Sequence, residues 1–272
     1  MSKIKRTLVS VYDKTGIVDF CRSLDKLGIE IIATGGTTRL LKENKIPVKN
    51  VSDVTNFPEI LNGRVKTLHP KILGGILALR EKGEHVSELK KHDITPIDMV
   101  VSNLYPFEKV TSKEDVHLKD ALENIDIGGP NMIRAAAKNF ESVVVIVDPK
   151  DYEPVLKELK ENGDVSKKTR SMLAIEAFRH TAKYDWIIHK FLEKNVSVPS
   201  EFPELLNLTY KKLQDLRYGE NPHQKGAFYR EFEIKEPCIT NAEQLNGKKL
   251  SWTNVLDLNS ALEMVKEFDE PT

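Results

Sequence analysis

The sequence predicts an α/β fold in which a parallel sheet is covered by helices on both faces. Short apolar segments alternate with segments of helical periodicity through the first half of the chain, which is typical of strand–helix–strand units. Several of the strand-to-helix connections are polar and contain glycine. Because ligands bind beyond the carboxyl ends of parallel strands, these connections are the candidate functional segments.

The first predicted strand runs from Thr7 to Val11, and a helix follows from Gly16 to Leu27. This helix has apolar residues at three- and four-residue spacing and is closed by Gly28, a residue type favoured after helix C-termini. Further strands are predicted at 29–33, 46–48, 97–101 and 142–147, with helices over 37–44 and from 148 onward. A long helix over 166–194 is expected to cover the sheet or to pack against another subunit.

The pattern breaks around residues 196–200, which predicts a linker. Residues 1–197 are expected to form one α/β domain, and residues 198–272 a second segment. The second segment is mixed and short-stranded, and about 70 residues are few for a complete α/β domain. We therefore expect an incomplete α/β segment after the first domain.

Composition excludes several classes of protein. The chain has 41 basic and 41 acidic residues, so its net charge gives no support to non-specific nucleic-acid binding. Cys21 and Cys238 are far apart and form no disulfide framework, and no apolar run approaches the length of a membrane span. The expectation is a soluble cytoplasmic protein that binds neither nucleic acid nor membrane.

The sequence also argues against a metal site and against two common nucleotide motifs. The seven histidines show no H-x-H or H-E-x-x-H spacing and have no cysteine partners, so we predict no metal. Neither the G-x-x-x-x-G-K-[ST] loop nor the G-x-G-x-x-G fingerprint is present. A monophosphate is therefore a better candidate ligand than a triphosphate or a dinucleotide.

Two polar turns lead from predicted strands into predicted helices, at 10–16 and at 34–37. Backbone amides and Thr hydroxyls at a helix start can cradle a phosphate. Taken singly, each turn is also compatible with an ordinary strand-to-helix connection. The case for a site depends on both turns lying at one edge of the sheet.

Three later segments add candidate site residues. Alternation places Arg64 and Lys66 on one side of an extended chain, near the Thr67 hydroxyl, although a solvated basic loop is the alternative. Asn103 and Tyr105 follow the strand at 97–101, where a packed aromatic turn is the alternative.

The third segment, 126–139, holds Asp126, two glycines, a proline and an Ala-rich helix. Proline suits the first helical position, so this helix start is a predicted anion site. Arg134 and Lys138 share one helix face at a spacing of four residues. A capped surface helix with a solvated basic face is the alternative interpretation.

Six motifs occur in order: SVYDKTG at 10–16, ATGGT at 33–37, GRVKTLHP at 63–70, NLYPF at 103–107, DIGGPNMIRAAAKN at 126–139 and LRYGENPHQ at 216–224. Together they resemble the bifunctional purine biosynthesis family, which joins an inosine monophosphate (IMP) cyclohydrolase domain to an aminoimidazole carboxamide ribonucleotide (AICAR) formyltransferase domain. The resemblance covers essentially the whole chain. It implies a methylglyoxal-synthase-like cyclohydrolase domain over 1–197 and the start of a formyltransferase domain over 198–272.

For the cyclohydrolase, the resemblance implies closure of 5-formamidoimidazole-4-carboxamide ribonucleotide (FAICAR) to IMP with loss of water and without a cofactor. The implied catalytic roles are a general acid/base for Lys138, oxyanion stabilisation for Lys66, proton acceptance or orientation for Asp126 and a proton relay for Tyr105. The implied substrate contacts are Ser10, Lys14, Thr15, Thr34, Gly35, Gly36, Thr37, Arg64, Thr67, Asn103, Ile127, Gly128 and Gly129. Asn103 is expected to bind the base.

For the formyltransferase, the resemblance implies 10-formyltetrahydrofolate as co-substrate, with Arg217 and Tyr218 at substrate-contacting positions. The family's Lys-His catalytic segment is expected shortly after Thr272, so we do not expect formyl transfer by these 272 residues. The family also implies a homodimer. Two alternatives remain at this point: a nucleotide-sensing module of the same fold that binds without turnover, and a lyase like methylglyoxal synthase that acts on a triose phosphate.

Overall fold

A five-stranded parallel sheet forms the centre of the N-terminal part of the chain. The computed structural model describes residues 4–105, 107–111, 116–196, 208–231, 234, 236–270 and 272. The chain divides into two units, Met1–Pro199 and Ser200–Thr272. The predicted linker and the predicted boundary after residue 197 lie outside the described residues.

The five strands are β1 (Arg6–Val11), β2 (Glu30–Ala33), β3 (Lys49–Asn50), β4 (Met99–Asn103) and β5 (Val144–Ile146). Their spatial order is β3-β2-β1-β4-β5, and every neighbouring pair is parallel. The strands therefore end at a common carboxyl edge. The predicted α/β class with a parallel sheet is confirmed.

Ten helices surround these strands in the described part of the first unit: α1 (Ile17–Lys26), α2 (Gly35–Glu43), α3 (Val51–Thr55), α4 (Pro70–Leu77), α5 (Gly83–Lys91), α6 (Phe107–Thr111), α7 (Leu118–Glu123), α8 (Gly128–Lys138), α9 (Tyr152–Asn162) and α10 (Lys167–Val196). They cover both faces of the sheet. The strands show this directly, because the consecutive residues Leu8 and Val9 in β1 point to opposite faces and both are fully buried.

Some element boundaries differ from the sequence-based predictions for identifiable reasons. A strand was predicted at 46–48, but pairing begins only at Lys49, after Pro47, which has no N–H to donate to a ladder. Helix α2 begins at Gly35 rather than at Thr37, so the glycine turn belongs to the helix N-terminus. Helix α8 likewise begins at Gly128, two residues before Pro130.

The second unit contains an antiparallel hairpin and a helix among its described residues. The hairpin pairs β6 (Tyr210–Asp215) with β7 (Ala227–Glu231), with a register shift between Lys212 and Gln214. Helix α11 (Trp252–Lys266) begins in a capping box formed by Ser251 and Asn254. No residue of α11 is buried within the described part of the chain.

Across the described residues, every helix is too short or too polar to cross a bilayer.

Candidate active site at the carboxyl edge of the sheet

The two predicted phosphate turns meet where β1 and β2 end. Ser10 Oγ, near the end of β1, lies 2.8 Å from Thr34 Oγ1, directly after β2. Parallel pairing of Val9 with Ala33 sets this distance, because it brings the ends of both strands to one level of the sheet. The turns are thus parts of one surface rather than two unrelated connections.

A lysine stands beside the start of α2 in this surface. Lys14 Nζ donates to Thr37 Oγ1 at 2.8 Å and also to the carbonyl oxygen of Val11. The lysine is half-buried, and this burial lowers the pKa of Lys14. The N-terminus of α2 at Gly35 and Gly36 contributes free amides and the positive end of the helix dipole. A cation and a helix N-terminus together favour an anion such as a phosphate.

The turn between β1 and α1 is held in place by Asn103. Its Oδ1 accepts hydrogen bonds from the amides of Tyr12 at 2.7 Å and Asp13 at 2.9 Å, and its Nδ2 donates to the Asp13 carbonyl at 3.1 Å. Asn103 was predicted to bind a base, whereas here its amide is engaged by the turn. Thr15 also bonds within this turn, because its N–H and hydroxyl both donate to Asp13 Oδ1. These bonds lower the pKa of Asp13.

Two tyrosines stand on the exposed side of the same turn. The rings of Tyr12 and Tyr105 lie with centroids 4.4 Å apart at an angle of 56°. Tyr105 is 40% exposed. Tyr12 was not among the predicted contacts, and its pairing with Tyr105 depends on strand register rather than on any local sequence signal.

A strained loop brings Lys66 to the turn that follows β2. Leu61, Asn62 and Gly63 have φ values of 53°, 54° and 84°, so the chain is left-handed over three successive residues. A Cβ on Gly63 would lie 2.8 Å from Lys66 Cε, and a Cβ on Gly35 would lie 3.5 Å from Lys66 Nζ. The lysine side chain therefore lies between two glycines, with its ammonium beside the start of α2.

Lys66 has an acidic partner that the sequence did not indicate. Its Nζ lies 3.1 Å from Glu59 Oε2. Arg64, two residues earlier, is turned away and forms an exposed ion pair with Glu123 of α7. Thr67 is buried and points to another element, since a Cβ on Gly128 would approach Thr67 Oγ1 to 2.9 Å. The segment 64–67 thus links the phosphate turn to the start of α8.

The start of α8 is organised around Asp126. Its Oδ1 accepts a hydrogen bond from the Gly129 amide at 2.8 Å, and its own amide donates to the hydroxyl of Tyr184 at 2.7 Å. Burial raises the pKa of Asp126, while the amides of Gly129 and Gly128 act in the opposite direction. Glycine is required at 129, because a Cβ there would lie 2.5 Å from Asp126 Oδ2. The neighbouring Ile127 is 61% exposed.

Lys138 lies at the other end of this helix. Helix α8 starts at the carboxyl edge and leads back to the beginning of β5. Lys138 comes ten positions after Gly128, which corresponds to about 15 Å along the helix axis. Lys138 is exposed, and Arg134 lies over the ring of Phe178 at 5.7 Å. Within one chain, the structure therefore does not bring Lys138 to Asp126, although both come from one short motif.

A cavity of about 600 Å³ lies at the amino edge of the sheet, opposite these turns. Its charged groups are largely paired with one another: Arg6 with Glu30, and Arg80 with Asp98 at 3.9 Å. Among the described residues, no group of three His, Cys, Asp or Glu side chains is arranged to hold a metal ion.

The two predicted contacts of the second unit pack against the start of α11. Arg217 Nη2 donates to Asn254 Oδ1 at 3.0 Å, and its guanidinium lies 5.3 Å from the centroid of the Tyr218 ring. The amide of Arg217 also bonds to the Leu250 carbonyl, and the amide of Trp252 bonds to the Tyr218 carbonyl. The two motifs of this unit are therefore structurally joined.

The fold and this edge define an MGS-like α/β domain, and the model of that domain matches residues 16–131. A second family model, described as the AICARFT/IMPCHase bienzyme, matches residues 136–272, half of the chain. The chain belongs to the AICARFT/IMPCHase bienzyme family. The resemblance given by the six motifs is confirmed at this level.

Similar proteins agree with this assignment. The chain is 57% identical over 269 residues to the bifunctional purine biosynthesis protein PurH of Acetivibrio thermocellus, and 55% identical over 267 residues to the protein of that name from a Thermoanaerobacter species. These alignments cover 99% and 98% of this chain but 52% of each relative, so the chain spans about half the length of these relatives. A solved structure, the crystal structure of ForH, is 35% identical with a TM-score of 0.66 and covers 71% of this chain and 100% of its own.

Proposed function

We propose that this chain acts in purine biosynthesis by closing the imidazole intermediate FAICAR to IMP with loss of water. The observation that carries the proposal is the convergence, at one sheet edge, of a phosphate-binding surface and a carboxylate. Ser10, Thr34 and Lys14 form the first, and Asp126 provides the second. Membership of the AICARFT/IMPCHase family supports the same reaction.

The reaction asks little of the protein beyond orientation, charge stabilisation and proton movement. The carboxamide nitrogen attacks the formyl carbon of the same molecule, the formyl oxygen takes up negative charge, and the resulting carbinolamine loses water. Because both reacting groups are on one ring, the substrate already supplies most of the proximity. The cyclisation proposed here uses no organic cofactor.

In this proposal the 5′-phosphate occupies the surface formed by the two turns. The phosphate accepts hydrogen bonds from Thr34 and from the amides of Gly35 and Gly36, with Ser10 and Thr15 beside it. Lys14, which is bonded to Thr37, supplies the positive charge. Asn103 contributes by fixing the β1–α1 turn. Thr67 lies against Gly128, and we assign Thr67, Ile127 and Gly128 to substrate contacts next to Asp126.

We assign the developing oxyanion to Lys66 and the carboxamide proton to Asp126. Lys66 is held by Glu59, with its ammonium beside Gly35 at the start of α2, where it can stabilise negative charge on a substrate bound at this edge. The raised pKa of Asp126 makes this carboxylate a stronger base than an exposed aspartate. We assign the proton relay to Tyr105, whose ring is exposed beside Tyr12.

We propose that Lys138 acts in the active site of a second chain. Since α8 separates it from Asp126 by about 15 Å within one chain, a general acid/base role requires a homodimer in which Lys138 reaches the other subunit's site. Helix α10 offers an exposed apolar stripe for such contact: Met172, Ile175 and Phe178 are 60%, 70% and 41% exposed. We propose this dimer, acting in the cytoplasm on a small purine ribonucleotide.

Formyl transfer is not part of the proposal for these 272 residues. The family resemblance implies 10-formyltetrahydrofolate for that second reaction, and Arg217 and Tyr218 remain predicted contacts for it. Their side chains lie against each other, and Arg217 bonds to Asn254 at the start of α11.

A cyclisation assay tests the proposal. FAICAR is mixed with the purified chain in the absence of folate, and the rise in purine absorbance is followed. We expect turnover that depends on Lys66 and Asp126. A Lys66→Ala effect confined to KM would reassign Lys66 to the phosphate, whereas a lower kcat supports the oxyanion role.

Two other outcomes with the same preparation would contradict the proposal. Tight binding of IMP in a calorimetric titration, without conversion of FAICAR, would favour a nucleotide-sensing module that binds without turnover. Turnover of a triose phosphate in place of FAICAR would favour the lyase.

A further inference from the structure

Tyr184, in the middle of α10, connects the long helix to the start of α8. Its hydroxyl accepts a hydrogen bond of 2.7 Å from the amide of Asp126, a residue 58 positions earlier in the chain. The side chain is 6% exposed, and its ring makes an edge contact with Phe107, which in turn packs edge-on against Phe191. Because the ring is buried and packed, the position of the phenol oxygen is fixed.

The turn from Asp126 to Gly129 is fixed at two points. The Asp126 carboxylate is tied to the Gly129 amide, and the Asp126 backbone is tied to Tyr184. The first contact orients the carboxylate relative to α8, and the second sets where the turn lies relative to α10. Removing the phenol oxygen would leave a partly buried amide without this acceptor and would free the turn to move.

We propose that Tyr184 is a positioning residue of the cyclisation, which places the Asp126 carboxylate for proton transfer by holding the backbone of residue 126. The inference rests on the proposed function, in which Asp126 takes the carboxamide proton. Proton transfer requires the carboxylate within hydrogen-bond reach of that nitrogen, and a displacement of 1 Å can cost about 100-fold in rate. Tyr184 itself does not touch the substrate.

Tyr152 provides a matched comparison. It is also 6% exposed and also packed through its ring, which stacks on Phe20 with centroids 4.4 Å apart. Burial raises the pKa of both phenols. Tyr152 begins α9 and packs on α1, whereas Tyr184 bonds to Asp126. Comparing Phe variants at the two positions therefore separates the effect of losing a buried hydroxyl from the effect of losing the contact with Asp126.

The experiment compares Tyr184→Phe with Tyr152→Phe in the 272-residue chain, by steady-state kinetics with FAICAR and by titration with IMP. We expect Tyr184→Phe to lower kcat by about tenfold, with KM and IMP affinity within about twofold, because the phosphate surface is unchanged. Tyr152→Phe is expected to keep kcat within about twofold. A Tyr184→Phe protein with wild-type kcat overturns the inference.

A double-mutant cycle separates positioning from general destabilisation. In an Asp126→Asn background, Tyr184→Phe is expected to cause no further loss of the residual rate, since the residue it positions has been neutralised. An equal loss in both backgrounds would assign Tyr184 to packing alone and overturn the inference.

Two measurements on the wild-type chain test the inference even if the variants do not fold. Hydrogen exchange at the Asp126 amide of the wild-type chain needs no substitution: slow exchange is expected, and exchange at the rate of a free amide overturns the inference. Absence of turnover by the wild-type chain overturns the proposed function, and this inference with it. Turnover by wild type and by Tyr184→Phe at equal kcat overturns the inference alone.

Discussion

At its N-terminal end α8 is tied into the protein by Asp126, Gly129 and Tyr184, whereas at its C-terminal end Lys138 is exposed. The first end lies with the turns that follow β1 and β2 at the carboxyl edge of the sheet, and the second leads to the amino end of β5. One motif of fourteen residues, 126–139, therefore supplies two different environments. The comparison shows that two charged residues at the ends of such a motif can act at the same site only if the helix between them is short, or if one of them comes from a second chain.

The largest expected effect on kcat comes from a substitution at the N-terminal end of α8. Asp126→Asn removes the proposed proton acceptor while keeping an oxygen that accepts from Gly129, so kcat is expected to fall by about 10²- to 10⁴-fold. Asp120→Asn, an exposed carboxylate on the preceding helix, serves as the control and is expected to leave kcat unchanged. Wild-type kcat in Asp126→Asn would remove the carboxylate from the mechanism.

The C-terminal end is tested by complementation between chains. If Lys138 serves the site of a partner chain, then Lys138→Ala and Asp126→Asn are each inactive, but mixed dimers contain one intact site. Random exchange should restore about a quarter of wild-type activity, because half of the dimers are mixed and each has one working site of two.

Two results would contradict this arrangement. Normal turnover by Lys138→Ala alone would remove the lysine from the chemistry. Failure of the mixture to recover activity, once native mass spectrometry has shown that mixed dimers form, would place Lys138 outside the partner's site.

Stability should also differ between tight and open glycine positions. Gly129→Ala places a Cβ 2.5 Å from Asp126 Oδ2 and 2.7 Å from Leu104 Cδ2, so we expect a loss of about 1–3 kcal/mol in the free energy of unfolding. Gly83→Ala, at the start of α5 with no heavy atom within 4 Å of the new Cβ, should change stability by less than about 1 kcal/mol. Urea denaturation of both variants measures the difference, and equal stabilities would contradict the close packing at Gly129.

The smallest expected effect is the pH dependence of stability. Because burial raises the pKa of Asp126 in the folded state, the folded chain binds this proton more tightly than the unfolded chain does. Stability should therefore fall as pH rises through the ordinary Asp range near about 4, and Asp126→Asn should abolish this contribution. Asp13 has a lowered pKa and should contribute with the opposite sign, being lost as pH falls. Denaturation of Asp126→Asn and of Asp13→Asn between about pH 2 and about pH 7, a range that brackets the ordinary Asp titration, checks the two signs.

The sequence allowed much of the fold to be predicted because its signals are local. The strand at 7–11 is buried as expected, and the helix after Gly16 buries its predicted apolar face except at Leu27, which follows the last helical residue and is 40% exposed. Periodicity records which face each element buries. Boundaries near Pro47 and Gly128 shifted because hydrogen bonding, rather than residue preference, decides where pairing starts.

The order of the motifs also allowed the family to be predicted. The partners of the site residues could not be predicted in this way, since Asn103 contacts Tyr12 across 91 positions and Asp126 contacts Tyr184 across 58. Glu59 as the partner of Lys66 depends likewise on a strained loop that periodicity does not describe.

By itself the sequence determined the alternation of strands and helices, the chemical character of each turn and the family to which the chain belongs. Tertiary structure alone decided which side chains meet: Ser10 with Thr34, Lys66 with Glu59, and Asp126 with Tyr184. It also placed Lys138 about 15 Å from the turn that begins its own motif. The physical reason is that residue preferences act over a few positions, whereas sheet register and helix rise fix distances between residues that are remote in the chain.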